Sequence, residues 1–504
     1  MKYLQGQHIL ILGLGSSGLA MTRWCAQMGA DITVADTRES PANLQVLKSE
    51  LPEVQFKSGP FAANLIEGTS VRAVFASPGL APIETLPVIE AAKAMGLWVG
   101  GELSLFVQAL ENLKATRDYA PQVLAITGTN GKTTVTALTG QLIERAGKTV
   151  KVAGNIGPTL LDTLRLSMTT ALPEVWVLEL SSFQLDNAGP FEPSAATVLN
   201  ITQDHLDWHG NMAAYAAAKE KIFGASSLMV LNRDDARVMA MLPEPVRAKL
   251  QKPVVRAHVT YGAEMPQRPG DFGLETVNGM TWLVRALEAD ETRRLRKGEV
   301  EEIHIQRLMP ADALRIRGRH NAVNALAALA LATSTGASLA SMLFGLREYK
   351  GEPHRVEPVA IVNEVEYFDD SKGTNVGATV AALLGLGAER RVVVILGGEG
   401  KGQDFSPLAE PVARYARAVV LIGRDAPLIR EEIKASGVPL IDASTLPEAV
   451  NAAKNMAQAG DAVLLSPACA SFDMFRDYPH RAQVFCQAVA EIAEAAGQVM
   501  EASL

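Results

Sequence analysis

The stretch Gly128-Thr-Asn-Gly-Lys-Thr-Thr134 could hold phosphate. Before it runs Val123-Leu-Ala-Ile126, read as a strand, and after it Val135-Thr-Ala-Leu-Thr-Gly-Gln-Leu-Ile143, read as a helix. Strand, glycine-rich turn, Lys-Thr and helix together form a cradle in which backbone N–H groups close on phosphate oxygens and the helix N-terminus adds partial positive charge. Lys132 is expected to reach the β/γ-phosphates and the Thr133 hydroxyl to hold Mg²⁺. Ile126 stands where the standard pattern has its first glycine.

A second glycine turn, Gly13-Leu-Gly-Ser-Ser-Gly18, follows the apolar run His8–Leu12, and Asp36 ends the next apolar run. That spacing suits a diphosphate-linked nucleoside whose ribose meets the acidic side chain. By itself it leaves a nicotinamide-dependent oxidoreductase open, as the phosphate turn leaves open a switch or motor that only hydrolyses ATP. Glu179 and His205 each sit just past an apolar run. A carboxylate and an imidazole there suit a Mg²⁺ or Mn²⁺ site completed by phosphate oxygens and water. A hydrogen-bonded turn histidine reads equally well, and Lys219, on a helix, reads as a solvated charge.

Eight segments occur in order: the phosphate turn, those around Glu179 and His205, Tyr215…Lys219, Gly318-Arg-His-Asn321, His354-Arg355, Asp369-Asp-Ser-Lys-Gly-Thr-Asn375 and Ser466-Pro-Ala-Cys-Ala-Ser-Phe-Asp473. In this set the chain resembles the Mur ligases, ATP-dependent amide ligases of peptidoglycan synthesis, from Gly13 to Tyr478. The last two segments resemble those members that add D-glutamate to UDP-N-acetylmuramoyl-L-alanine; other Mur-type ligases and folylpolyglutamate synthase-like ligases are the alternatives within the class. The resemblance implies ATP and Mg²⁺, in two sites, with Mn²⁺ as a substitute. It implies nucleotide contacts at Thr129, Asn130, Gly131, Lys132, Thr133, Thr134, Val135, Asn321, Arg355 and Asp370. Metal would be held by Thr133, Glu179, His205 and a carbamylated Lys219. The UDP substrate would meet Ser16, Ser17, Asp36, Thr37, Arg38, Gly79 and Asn155. The incoming amino acid would meet Lys372, Thr374, Lys401, Ser471, Phe472 and Tyr478. Lys132, His205, Lys219 and Lys372 would carry the catalysis. Two lysines suit an acceptor with two carboxylates.

Alternating strands and helices must position these groups, which predicts an α/β chain with mostly parallel sheets. Three domains are expected: a Rossmann-like 1–113, a phosphate-loop domain 114–350 and a Rossmann-like 351–504. Residues 263–310 break the alternation and look like an insertion; within them Glu288–Glu302 is a dense mixed-charge run, expected as a solvated excursion. Asn324–Leu346 reads as one or two buried helices rather than a membrane span. At 504 residues, 48% hydrophobic and 20% charged, this is an ordinary globular composition. A net charge of −8 argues against a broad nucleic-acid-binding face. Three scattered cysteines point to reduced thiols in a cytoplasmic protein. The polar start Met1–His8 is not a signal peptide, and a monomer is expected.

Overall fold

The computed structural model describes residues 3–246, 253–289, 302–388 and 390–498. Most of the charged run therefore lies outside the described residues. Three parallel-stranded sheets follow one another along the chain. The first has the order Gln55–Ser58, Asp31–Asp36, His8–Leu12, Val71–Ala76, Trp98–Gly100, all parallel. The second has the order His258–Tyr261, Leu228–Asn232, Ala195–Val198, Gln122–Thr127, Val175–Glu179, Val150–Gly154, again all parallel. The third begins with an antiparallel edge strand, Glu357–Val362, against Val365–Asp369. It continues in parallel through Ala462–Leu465, Val392–Gly397, Ala416–Ile422 and Leu440–Asp442. Central strands such as Val392–Gly397 are buried along their whole length, which is why they read as unbroken apolar runs.

The segment read as an insertion has structure of its own. Phe272–Val277, Met280–Glu288 and Ile303–Pro310 form an antiparallel three-stranded sheet. Its first hairpin turns through Asn278-Gly279, both at positive φ, the requirement of a two-residue type I′ turn. Phe272, Leu274, Leu283 and Met309 are buried in the same cluster as Leu138 and Leu142 of the helix Lys132–Arg145. The helices Arg319–Thr333 and Leu339–Glu348 complete that side, and the first contributes an almost unbroken buried alanine–leucine face.

The opposite face of the second sheet shares one continuous apolar cluster with the first sheet and the connecting helix Glu102–Arg117. At its centre Phe106 meets Trp176 edge to face at 5.2 Å. The third sheet has its own clusters, one on each face, and among the described residues neither merges with those before it. The first two sheets are thus joined through hydrophobic packing. The polar contacts that hold the third against the phosphate turn are those of the site.

Candidate active site

The phosphate turn leaves the strand Gln122–Thr127 and enters the helix Lys132–Arg145 at Gly131, the helix cap, at φ +82°. A Cβ there would also stand 2.8 Å from Asn324 Oδ1, so glycine is required twice over. Ile126 belongs to the strand and is fully buried, so the turn begins two residues later than in the standard pattern. Asn200, just past the neighbouring strand, braces the turn on both sides. Its Oδ1 accepts from Asn130 N at 2.8 Å and its Nδ2 donates to Asn130 O at 3.1 Å. Lys132 Nζ folds back onto Gly128 O and Thr129 O, both at 2.8 Å. Burial lowers its pKa, against the pull of Glu179 and Asp204. Val135, expected among the nucleotide contacts, sends its side chain into the core and bonds its N–H back to Gly131 O at 3.0 Å, so neither is turned toward a ligand.

Lys219 is not a solvated charge. It is 1% exposed, and its Nζ lies 3.2 Å from Thr127 Oγ1, 2.9 Å from Gly128 O and 4.7 Å from the centre of the Tyr215 ring. Burial, and then the neighbouring Lys132, push its pKa well below the ordinary lysine value, with Asp204 and Glu179 opposing. Glu179, at the end of its strand and 3% exposed, accepts from Asn155 Nδ2 at 3.0 Å. His205 takes the left-handed conformation, φ 52°, at the start of a short helix. Its ring packs 4.7 Å from that of Phe183 and its Nε2 lies 3.6 Å from Asp204 Oδ2. Burial favours its neutral form, the form that ligates metal. Buried hard oxygens on Glu179, with the Thr133 hydroxyl on the phosphate turn, fit a Mg²⁺ site completed by phosphate and water. Among the described residues the protein-only cluster of metal-type ligands is a different one, His354, Glu357 and Asp369. There His354 Nδ1–H donates to Asp369 Oδ2 at 2.7 Å and the bond raises the His354 pKa, which reads as an internal ion pair.

Residues from the third sheet close over this turn. Asn130, Gly131 and Thr134 line a cavity of about 130 Å³ together with Asn321, Arg355, Asp370 and Lys372. The Arg355 guanidinium donates to Thr133 Oγ1 at 2.6 Å. Asp370 accepts from Ser466 Oγ at 2.6 Å, and burial raises its pKa to about 7. Lys372 Nζ donates to Tyr478 OH at 3.2 Å, and burial, then Arg355, lower its pKa to about 8. A neighbouring cavity brings Thr374 and Lys401 to Asp204 and His205. Lys401 Nζ stands 5.8 Å from the Phe472 ring, which is 65% exposed, while Ser471 beside it is buried. A larger surface cleft, about 770 Å³ and lined by Gln141, Arg145, Glu348 and Lys350, holds none of the expected residues.

Ser16, Ser17, Asp36, Thr37, Arg38 and Gly79 gather instead at or just beyond the ends of the first sheet's strands and line neither cavity. Asp36 is buried, and its oxygens accept from Leu14 N at 2.7 Å and from Arg38 N, Nε and Nη2 at 2.8–2.9 Å. Burial alone would raise its pKa; the Arg38 and Leu14 bonds outweigh it and hold the value at about 2. Both oxygens are committed to the turn, which weakens the nicotinamide reading that needs one for a ribose. Several residues that the sequence reading passed over support the site. Asn200 and Asn375 brace the phosphate turn. Buried Arg481 donates to Ser371 O and Cys469 O, tying two turns of the third sheet together. Glu102 accepts from Leu161 N at 3.0 Å. An asparagine two residues past an apolar run is a weak signal, and buried Arg481 and Glu102 gave none.

Comparison with known proteins bears on the family and the fold. Residues 7–101 match the Mur ligase MurD-like N-terminal domain, 126–332 the Mur ligase middle domain and 354–469 the Mur ligase, glutamate ligase domain. The chain is 70% identical to a UDP-N-acetylmuramoylalanine--D-glutamate ligase of Albidiferax ferrireducens, over 99% of both chains. It is 58% identical to one of Cupriavidus metallidurans, over 98% of this chain and 99% of that one. Two solved structures from Thermotoga maritima share the fold. One is a UDP-N-acetylmuramate-alanine ligase, TM-score 0.54 at 20% identity, covering 96% of this chain and 99% of that one. The other is a MurF ligase in complex with ADP, TM-score 0.56 at 16% identity, covering 98% and 96%. Three consecutive domain matches and 70% identity along the whole length place this chain in the Mur ligase family.

Proposed function

We propose that this protein joins D-glutamate to the L-alanyl carboxyl of UDP-N-acetylmuramoyl-L-alanine, converting ATP to ADP and phosphate, in peptidoglycan synthesis. The name of the 70%-identical relative supports the reading. The observation that carries it is the cavity where the phosphate turn, through Asn130 and Gly131, meets Arg355, Asp370 and Lys372 from beyond the third sheet's strands. A nucleotide phosphate and an anionic acceptor amino acid can be held there side by side.

In this reading the alanyl carboxylate attacks the γ-phosphorus of ATP and ADP leaves. The amine of D-glutamate then attacks the acyl phosphate carbonyl, and phosphate departs from the tetrahedral intermediate. The protein's part is positioning and charge neutralisation. The N–H groups of Gly131 to Thr134 and the Lys132 ammonium hold the phosphates, with Thr129 and Asn130 shaping the turn beside them and Asn321, Arg355 and Asp370 about the nucleotide. Lys372 and Lys401 take the two carboxylates of D-glutamate, beside Thr374, Ser471, Phe472 and Tyr478. Ser16, Ser17, Asp36, Thr37, Arg38 and Gly79 form the UDP site, and Asn155 carries the substrate toward Glu179. Thr133 and Glu179 suit one Mg²⁺, and His205 with a carbamylated Lys219 a second, where the imidazole also admits Mn²⁺. Bound metal would neutralise charge on the transferring phosphoryl group. The three functional units run over 1–113, 114–350 and 351–504, in a monomer. ATP as substrate and three unpaired cysteines favour the cytoplasm.

The test is phosphate release from ATP with UDP-N-acetylmuramoyl-L-alanine and a panel of amino acids. D-glutamate alone should stimulate release strongly. Equal release with L-alanine or a diamino acid would reassign the acceptor. Release without any amino acid would point to a simple hydrolase.

A further inference from the structure

Asn375 caps the helix Val376–Gly387, its Oδ1 accepting from Ala378 N at 2.9 Å. That bond fixes which end of the carboxamide is oxygen. The Nδ2 end then points out of its own domain, donating to Asn130 Oδ1 at 3.0 Å on the phosphate turn and to Asp204 Oδ2 at 3.4 Å beside His205. Asn375 is 5% exposed and its two partners are half-buried, so a mismatched donor or acceptor on it has little water to turn to. The approach is close: a Cβ on Gly377 would stand 3.1 Å from Asn130 Nδ2 and 3.0 Å from Thr202 Oγ1. The turn just before the cap carries Lys372 and Thr374.

We propose that Asn375 is a positioning residue that registers the amino-acid-binding turn of the third domain against the phosphate turn of the second. One carboxamide does both tasks: its oxygen fixes where the helix starts, and its N–H₂ group fixes where that start sits over Asn130 and Asp204. With the apolar cores separate on the two sides, such polar contacts set the relative placement of amine and acyl phosphate. A misplacement on the order of 1 Å costs about 10²-fold in a reaction driven by orientation. The inference rests on the ligase reading given above.

Asn375→Asp separates the tasks. A carboxylate is as good a helix cap as a carboxamide, but it faces Asn130 Oδ1 and Asp204 with an acceptor in place of a donor. Asn375→Ala removes cap and grip together. The measurements are Tm, steady-state kinetics for each substrate, and ATP affinity by direct titration. Asn375→Asp should keep Tm within about 2 °C of wild type and ATP affinity within about twofold. Its kcat should fall about tenfold or more and its KM for D-glutamate should rise. Asn375→Ala should show the kinetic loss plus a lower Tm; if it does not fold, the Asp variant carries the test. Wild-type kinetics in Asn375→Asp would overturn the proposal. So would a kinetic defect that appears only with a Tm loss matching that of Asn375→Ala, because the residue would then be a cap and nothing more. Failure of the wild-type protein to ligate D-glutamate would strike the functional reading instead.

Discussion

The Arg355 guanidinium and the Thr133 hydroxyl, 222 positions apart in the chain, form a hydrogen bond of 2.6 Å. A cation from the third domain thus sits on the hydroxyl expected to face metal and phosphate, and the same side chain lines the cavity with Gly131 and Asp370. In the proposed reading Arg355 lies beside the phosphates once ATP enters. Arg355→Ala is expected to lower kcat/KM for ATP by roughly 10²-fold, the scale for loss of one charged stabilising group. Arg355→Lys should recover part of this, since an ammonium lacks the planar fork. Steady-state kinetics with ATP varied check both, and an unchanged kcat/KM in Arg355→Ala would refute the placement.

Lys219 is expected to work as a carbamate. Buried beside Lys132, its amine loses its proton far more readily than a free lysine, and the neutral amine is the form that adds CO₂. The product is an anion that can help hold Mg²⁺, where an ammonium would repel it. Lys219→Ala should remove most activity, and acetate should restore part of it by filling the vacated anion position. Intact-mass measurement on active enzyme that finds Lys219 unmodified would count against this, as would an alanine variant active without added carboxylate.

Asp36 shapes the first glycine turn through Leu14 N and clamps Arg38. Asp36→Ala should raise the KM for the UDP substrate by about tenfold while leaving that for ATP within about twofold. With its pKa held near 2, the carboxylate stays charged throughout the working range, so this KM should show no titration from Asp36. A parallel rise in both KM values would mean the substitution disturbs the whole protein.

Glu102 offers a pH test of the packing between the first two domains. Burial raises its pKa from 4.5 to about 7, against the hydrogen bond from Leu161 N, and Asp162 adds to the rise. The folded state then binds more protons than the unfolded one between those values. This contribution to stability is complete below pH 4.5 and is lost as pH rises through 7. Glu102→Gln escapes that loss. Its stability relative to wild type should therefore improve with pH, by at most on the order of 3 kcal/mol for a group this buried. Thermal melts of both proteins from about pH 5 to about pH 8.5 give the comparison. A constant gap between them would show that Glu102 does not titrate in that window.

Much of this architecture was legible in the chain. The strand His8–Leu12 falls where the apolar run predicts it, and the strand before the phosphate turn extends the predicted Val123–Ile126 by one residue at each end. Buried parallel strands leave continuous apolar runs, and glycine turns punctuate them. The antiparallel sheet within 263–310 was harder to see. Its strands face the core on one side only and carry charges such as Glu275 and Arg307 on the other, paired at 2.7 Å. Asn278-Gly279 was its one sharp signal. The site divides in the same way. Lys132 and Thr133 announce themselves by their turn, whereas the setting of Lys219 and the two-sided role of Asn375 depend on partners 92 and 245 positions away, which no local pattern encodes.

Isotope transfer tests the central claim most directly. UDP-N-acetylmuramoyl-L-alanine labelled with ¹⁸O in both oxygens of the alanyl carboxylate would be incubated with ATP, Mg²⁺ and D-glutamate, and both products analysed by mass spectrometry. An acyl phosphate requires one labelled oxygen to leave in the inorganic phosphate and the other to remain in the new amide carbonyl. Unlabelled phosphate, with both labelled oxygens still on the alanyl carboxyl, would show that the phosphate turn hydrolyses ATP without joining anything and would contradict the account.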